Sequence, residues 1–300
     1  MEYLRIEDDF PRLSNTAVTL GKFDGIHKGH RKLVDCVLAR KEDGAQAVIF
    51  AFEASSKQLF VKEERVRYLE SLGVDILLEC PLNEKVKHMK AENFVKEVLV
   101  GDLNVSYVAV GEDFRFGHER KGTPDMLKEF GAKYGFEVEV ISKELDGRRK
   151  ISSTYIREEL KYGNMEKTAR LLGRNFCVDG VIEHGHGLGR KKLFPTTNIV
   201  PSKEKLMPPN GVYFTVSHFE EKSYYGVTNV GYKPTVGEEF LGVETYLFDC
   251  NEDLYGKKCK VEFLKFQRPE QKFSSLEVLK KQINQDIQDA ENYFAETTKK

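Results

Sequence analysis

The sequence predicts two units in series: an α/β unit with a Rossmann-like parallel sheet, then an all-β barrel closed by a terminal helix. Three observations predict it. Apolar runs alternate with helical patterns through the first half. Strand patterns alone, cut by Gly, Pro and Asn turns, follow residue 173. A long three- and four-step apolar pattern ends the chain. At 300 residues the chain is long enough for two cores. The expected domains are 1–172 and 173–300.

In the first half, residues 17–20 read as a short buried strand, and 30–40 as a helix with Leu33, Val34, Val37 and Leu38 on one face. Strand 47–52, helix 61–71, strand 74–78, helix 91–99 and strand 105–110 follow. Helix 124–134, stopped at Gly135, leads into strand 136–141. Such alternation argues for parallel strands joined by crossover helices. In the second half, residues 176–183, 211–218, 224–230, 243–248 and 259–266 read as strands of a barrel or sandwich. Ser274 and Glu277 form a capping box, and Leu276, Leu279, Ile283, Ile287, Ala290 and Phe294 give the terminal helix one apolar side, expected to pack on the barrel.

Composition excludes several classes. The net charge is −1 with 32% charged residues, which argues against a dedicated nucleic-acid binder. No apolar run approaches the roughly 20 residues of a membrane helix, and the acidic N-terminal segment lacks a signal core. Five cysteines, at 36, 80, 177, 250 and 259, form no CxxC pair, which fits a reducing cytoplasm.

The first chemical constellation follows the first strand: Gly21-Lys22-Phe23-Asp24-Gly25-Ile26-His27-Lys28-Gly29-His30. Ligands of open α/β sheets bind at the carboxyl ends of strands. Gly21 and Gly25 allow close backbone approach. His27 and His30, three apart at a helix start, share a face beside the positive end of the helix. The set suits a triphosphate and charge developing on an α-phosphate. Ile151-Ser152-Ser153-Thr154-Tyr155-Ile156-Arg157 follows the last strand; its hydroxyls either cap a helix or bind phosphate, and Arg157 offers a two-donor fork. Gly111-Glu112-Asp113-Phe114-Arg115-Phe116-Gly117 ends the 105–110 strand and reads either as a plain loop or as a wall for a flat ring.

In the second half, His184-Gly185-His186-Gly187-Leu188-Gly189-Arg190 reads as a turn or as a phosphate wrap through Gly187 and Gly189. Pro195-Thr196-Thr197-Asn198 offers hard oxygen ligands suited to Mg²⁺. Glu244, an acid inside a β-branched and aromatic strand, reads either as a solvent-facing alternation residue or as a general base.

The HxGH string, VGEDFRFG and ISSTYIR together resemble the nucleotidylyltransferases, and more narrowly the adenylyltransferase module of the bacterial bifunctional riboflavin kinase/FMN adenylyltransferases (prokaryotic FAD synthetases). PTxN, GVY, NxGxxPT, DLYGKK and the FQRPEQKFSSLEVLKKQINQD string resemble the riboflavin kinase module of the same family. The resemblance covers about residues 12–295. It implies FAD biosynthesis: ATP phosphorylates riboflavin to FMN in the C-terminal barrel, and a second ATP adenylylates FMN to FAD with release of pyrophosphate.

It implies His27 and His30 as catalytic groups on an ATP site with Gly21, Phe23, Asp24, Gly29, Ser152, Ser153, Thr154 and Arg157. It implies Asp113, Phe114, Arg115 and Arg268 on the flavin, Thr196 and Asn198 on Mg²⁺, Gly187 and Gly189 on ATP, and Glu244 as the base for the ribityl 5′-hydroxyl. Two departures are local. Phe52-Glu53-Ala54-Ser55-Ser56 stands where the family has Phe-x-Pro-His-Pro, and Leu193 where it has Gly. The changed 52–56 segment keeps one rival in view, a chain with kinase activity alone; a second is a flavin-sensing regulatory protein on the same scaffold. The expected partners are riboflavin, FMN, FAD and ATP, with no nucleic acid and no membrane, for a cytoplasmic monomer or weak homo-oligomer.

Overall fold

The computed structural model describes residues 1–7, 9–53, 57–183, 195–220, 222–234 and 239–297. Its contacts divide the chain into two compact units, Met1–Ser153 and Thr154–Lys300. This division falls before the 172/173 boundary expected from sequence, and it assigns two further helices to the second unit.

The first unit is built on β1 (Glu2–Arg5), β2 (Thr16–Gly21), β3 (Gln46–Phe52), β4 (Ile76–Cys80), β5 (Val105–Gly111) and β6 (Glu137–Ile141). All pairings are parallel, in the order β1-β4-β3-β2-β5-β6. The strand order reverses beside β2, which puts the topological switch point between β2 and β5. The crossovers include α1 (Lys28–Ala39), α2 (Lys62–Ser71), α3 (Glu84–His88), α4 (Ala91–Asn93) and α5 (Pro124–Tyr134). The central strands are buried on both faces, as parallel sheets require: Ala17, Val18, Val48, Ile49, Phe50 and Val108 are all fully buried.

Helix 91–99 takes a different form from the expected one. α4 runs on as a π-helical stretch, Phe94–Asp102, that buries Phe94, Val95, Val98 and Leu99. Apolar spacing of three and four fits either winding. A two-strand hairpin, β7 (Leu145–Asp146) and β8 (Arg149–Lys150), precedes the end of the unit.

The second unit opens with α6 (Ser153–Lys161), its first residue being the last of the first unit, and α7 (Met165–Leu172). Its sheet comprises β9 (Phe176–Val181), β10 (Thr197–Ile199), β11 (Gly211–His218), β12 (Ser223–Pro234), β13 (Glu239–Leu247) and β14 (Lys258–Pro269). All pairings are antiparallel, in the order β10-β13-β12-β11-β14-β9. The sheet curls into a half-barrel, and its two edges meet where Glu183 bridges Asn198. α7 packs on β9 and β14.

The terminal helix, α8 (Leu276–Thr297), lies on the outer face of this sheet. Ala290 and Phe294 are buried against Phe214, with Val227, Phe248 and Leu264 around them. Only the later turns of the expected apolar side are covered, since Leu276 is 55% exposed. The cap is also one residue later than expected. Ser275, not Ser274, accepts the Val278 amide at 3.3 Å through its hydroxyl, and Glu277 bonds Ser275 rather than closing a box with Ser274.

On β14, burial raises the carboxyl pKa of Glu262, but hydrogen bonds from His218, Lys260 and Asn175 outweigh it and hold the value at about 2, against an ordinary 4.5. A depressed carboxyl pKa stabilises the fold above its unfolded value and loses that contribution as pH falls through the folded one. Denaturation midpoints of Glu262→Gln are therefore expected to fall less steeply than wild type between pH 4.5 and 2. Identical slopes would show that this cluster does not contribute to acid unfolding.

Candidate active sites

The first site lies at the carboxyl ends of β2, β5 and β6. A cavity of about 800 Å³ is lined there by Gly21, Lys22, His27, Gly29 and His30 on one side. Asp113, Phe114 and Arg115 line it beyond β5, and Ser142, Lys143, Ser152 and Ser153 beyond β6. Nine of the sequence-predicted residues of this unit therefore share one cavity: Gly21, His27, Gly29, His30, Asp113, Phe114, Arg115, Ser152 and Ser153.

The loop from β2 to α1 is tightly specified. Phe23 and Ile26 have φ of 47° and 38°, in the left-handed region that L-residues avoid. Each such residue costs on the order of 1–3 kcal/mol and persists only where its surroundings fix it. Both side chains are fully buried, which fixes them. Phe23 and Asp24, expected to touch ATP, do not line the cavity. Asp24 is buried, and its carboxylate accepts the Leu59 amide at 2.8 Å. Its carbonyl accepts the Ser153 hydroxyl at 2.9 Å. These residues shape the loop. Asp24→Ala leaves the buried Leu59 amide without that acceptor, at a cost of about 1–3 kcal/mol. A lower thermal midpoint, with a raised KM for the nucleotide of this site, is the expected result.

His27 is the N-cap of α1: its Nδ1 accepts the His30 amide at 3.3 Å. An acceptor role at Nδ1 leaves the neutral ring's proton on Nε2. The His27 and His30 rings stack 3.8 Å apart at 15°, with Phe23 5.1 Å from His30. The first amides of α1, at Lys28 and Gly29, have no intrahelical acceptor by geometry, and no acidic residue occupies the first turn. Helix dipole, free amides and imidazoles together suit an anion. A Cβ on Gly29 would come within 3.3 Å of the His27 ring.

Opposite, Phe114 and Phe116 stack 5.6 Å apart at 14°, giving a flat apolar wall. The Asp113 carboxylate is bound by Lys143. Lys143 was not singled out from sequence, although it lies two residues past the predicted strand 136–141 at the sheet's carboxyl edge. Thr154 and Arg157 lie on α6, in the second unit. Residues 54–56, which carry the altered Pro-His-Pro segment, lie outside the described residues.

The second site is on the outer face of the half-barrel. Directly paired residues of adjacent strands point to the same face. Asn198 pairs Glu244, Glu244 pairs Asn229, Asn229 pairs Val212, and Val212 pairs Arg268, so these five form one row. Phe214 and Val227, two residues along from Val212 and Asn229, carry α8 on that face. The Thr196 hydroxyl donates to Glu244 Oε1 at 2.6 Å. An acid, a hydroxyl and two amides thus converge. Beneath them, the opposite face is pinned by buried hydroxyls: Thr228 lies 2.7 Å from Thr215 and 2.8 Å from Thr245.

Arg268 is engaged elsewhere than expected. Its Nε and Nη2 donate to the two carboxylate oxygens of buried Asp286 at 2.9 and 2.6 Å, tying β14 to α8. Asn229 and Asp286 carry no role in the sequence reading, although they begin NxGxxPT and end the string 266–286. The alternation that exposes Glu244 marks Asn229 as well, whereas the Asp286 pairing is a tertiary fact. Gly187, Gly189 and Leu193 fall outside the described residues, as do His184 and His186. All five cysteines are free, and burial pushes Cys80 and Cys259 up to about 12, which keeps them as inert thiols.

Fold and sites define a two-site class: a Rossmann-like unit with a cavity edged by a helix start and two imidazoles, joined in one chain to an antiparallel half-barrel with an acid–hydroxyl–amide row. Comparison with known proteins identifies the class. A FAD synthetase family model matches residues 9–155, and a riboflavin kinase family model matches residues 172–294. The chain belongs to the bifunctional riboflavin kinase/FMN adenylyltransferase family. It is 38% identical to the Buchnera aphidicola (Schizaphis graminum) member over 94% of this chain and 95% of that one. It is 32% identical to the Bacillus subtilis member over 95% of both. A Streptococcus pneumoniae crystal structure described as a macrolide-efflux protein matches with a TM-score of 0.86 at 29% identity, covering 97% of this chain and 99% of that one. No helix among the described residues is long and apolar enough to cross a membrane.

Proposed function

We propose that the second unit phosphorylates riboflavin to FMN and the first unit adenylylates FMN to FAD, each with ATP. The observation that carries the double activity is the stacked His27–His30 pair at the start of α1 in the cavity. A kinase-only chain or a flavin sensor has no use for it.

In the kinase step, Glu244 accepts the proton of the ribityl 5′-hydroxyl, the freed oxygen bonds the γ-phosphorus, and ADP leaves. Thr196 holds the carboxylate in place through its hydrogen bond. Thr196 and Asn198 offer neutral oxygen ligands beside an acid, a donor set that fits Mg²⁺. When bound, that ion neutralises charge on the transferring phosphoryl group. Asn229, in register with Glu244 on the neighbouring strand, lies on the same face beside it.

In the adenylyl step, a phosphate oxygen of FMN bonds the α-phosphorus of ATP, the α–β phosphoanhydride bond breaks, and pyrophosphate leaves. A phosphate monoester is largely dianionic at pH 7, with a second pKa of about 6, so this nucleophile needs no general base. The site's task is to bind and stabilise charge, which the Nε2–H of His27, the ring of His30 and the α1 amides do. Phe114 and Phe116 form a face for the flavin ring.

Chromatography of products tests the reading. Riboflavin with ATP and Mg²⁺ is expected to give FMN and then FAD, and FMN with ATP to give FAD. FMN accumulating with no FAD in either reaction would restrict the chain to kinase activity. Tight flavin binding without turnover would make it a sensor.

A further inference from the structure

A cation lines the first unit's cavity in the same loop as the two imidazoles and has no part in either reaction as assigned above. Lys22 directly follows Gly21, the last residue of β2, and opens the stretch that carries His27 and His30. We propose that Lys22 is a further catalytic residue of adenylyl transfer: its ammonium group binds the β- and γ-phosphates of ATP and takes up the charge that develops on pyrophosphate as it leaves. The inference rests on the adenylyl-transfer reading of this cavity and assigns a role within it.

Charge is the first support. The imidazoles and the α1 amides act through N–H donors. When the α–β phosphoanhydride bond breaks, the bridging oxygen keeps the electron pair, so negative charge grows on the departing pyrophosphate. A fixed cation at that end holds the leaving group more strongly in the transition state than in the bound substrate, which is the condition for lowering the barrier. An ammonium meets phosphate as a point charge, with no demand for a planar fork. No proton moves to or from Lys22 in the step.

Availability is the second. Other cations line the cavity, and several are engaged. Lys143 is paired with Asp113, Lys87 with Glu84 at 3.0 Å, and Arg115 Nη1 donates to the Phe114 carbonyl at 2.7 Å. The side chains of Lys22 and Arg120 line the same cavity with no hydrogen-bond or ion-pair partner among the described residues. Arg120 sits in the turn beyond the Phe114–Phe116 wall. Lys22 sits in the loop of the imidazoles, at the phosphate end of the cavity.

Placement is the third. The backbone is fixed on both sides of Lys22. Gly21 pairs with Ala51 in the sheet, and Phe23 is fully buried at φ of 47°. A Cβ on Gly21 would come 3.2 Å from the Phe23 ring, so these neighbours close around the base of residue 22. With Phe23 turned into the core, the Lys22 side chain is exposed and lines the cavity. The first turn of α1 carries no acidic residue to compete with phosphate for the ammonium.

Lys22→Met removes the charge and keeps an unbranched stem. FAD formation from FMN is expected to fall about 10²-fold in kcat, with KM for FMN within about twofold of wild type. In the reverse reaction, FAD and pyrophosphate giving FMN and ATP, KM for pyrophosphate should rise at least about tenfold. Lys22→Arg keeps the charge and should recover most of both losses. The thermal midpoint of Lys22→Met should match wild type, because its side chain leaves no partner behind. FAD formation by Lys22→Met within about threefold of wild type, with KM for pyrophosphate unchanged, would overturn the proposal. So would a loss confined to KM for FMN, which would move the ammonium to the flavin phosphate, or a Lys22→Arg enzyme as slow as Lys22→Met. A wild-type chain that makes FMN and no FAD would fail the adenylyl reading itself and take this role with it; FAD from wild type separates that failure from one of Lys22 alone.

Discussion

Glu244→Gln is expected to lower FMN formation by about 10²–10⁴-fold, the usual contribution of a positioned general base, while riboflavin binding stays near wild type. The substitution isolates basicity from shape. Gln has the length of Glu, and its amide oxygen still accepts the Thr196 hydroxyl that donates to Oε1 at 2.6 Å. The backbone ladder that pairs Glu244 with Asn198 and Asn229 is untouched. What disappears is the ability to take a proton. The loss should therefore fall on kcat, with KM for riboflavin little changed. Flavin fluorescence on titration checks binding, and product chromatography checks turnover. Thr196→Val is the companion experiment. It keeps the carboxylate but removes the hydroxyl that orients it, so a smaller loss with a raised Mg²⁺ requirement is expected. FMN formation by Glu244→Gln within about threefold of wild type would remove Glu244 from the role of base.

Much of this arrangement is legible in the residues, for identifiable reasons. The central parallel strands are buried on both faces, so residues 47–52 appear as an unbroken apolar run and 105–110 as one interrupted only by exposed Ser106. Helix 124–134 carries its own punctuation: Thr123 caps it, Pro124 starts it, and Gly135 ends it in the left-handed region at φ 85°. The stretch after β2 places two imidazoles at a helix start, and geometry then requires them to share a face.

What was not legible depends on tertiary context. β1 is a four-residue edge strand with no fully buried position, so it has no apolar signature. Asp24 looks like a ligand contact because it sits in a glycine-rich loop, yet its carboxylate is taken by an amide 35 positions away. Arg268 looks free to meet a substrate because its partner, Asp286, lies on another element. For Asp24 and Arg268 the element was readable and the side-chain partner was not.

His30→Ala is expected to cut FAD formation from FMN by about 10²–10³-fold, the scale of a lost transition-state donor, and to leave FMN formation from riboflavin intact. The two activities separate because His30 belongs to the first unit's cavity and Glu244 to the second unit's sheet. His27 needs a subtler substitution. It is buried, and its Nδ1 caps α1, so His27→Ala loses a cap, at about 1 kcal/mol, together with the ring. Asn caps a helix start well, so His27→Asn retains the acceptor for the His30 amide and removes only the imidazole. If charge stabilisation is the ring's function, Asn and Ala at position 27 should lose FAD formation to a similar degree, while the Asn variant melts closer to wild type. A His27→Asn enzyme that makes FAD at the wild-type rate would reduce His27 to a helix cap and leave His30 and the α1 amides as the groups that meet the α-phosphate.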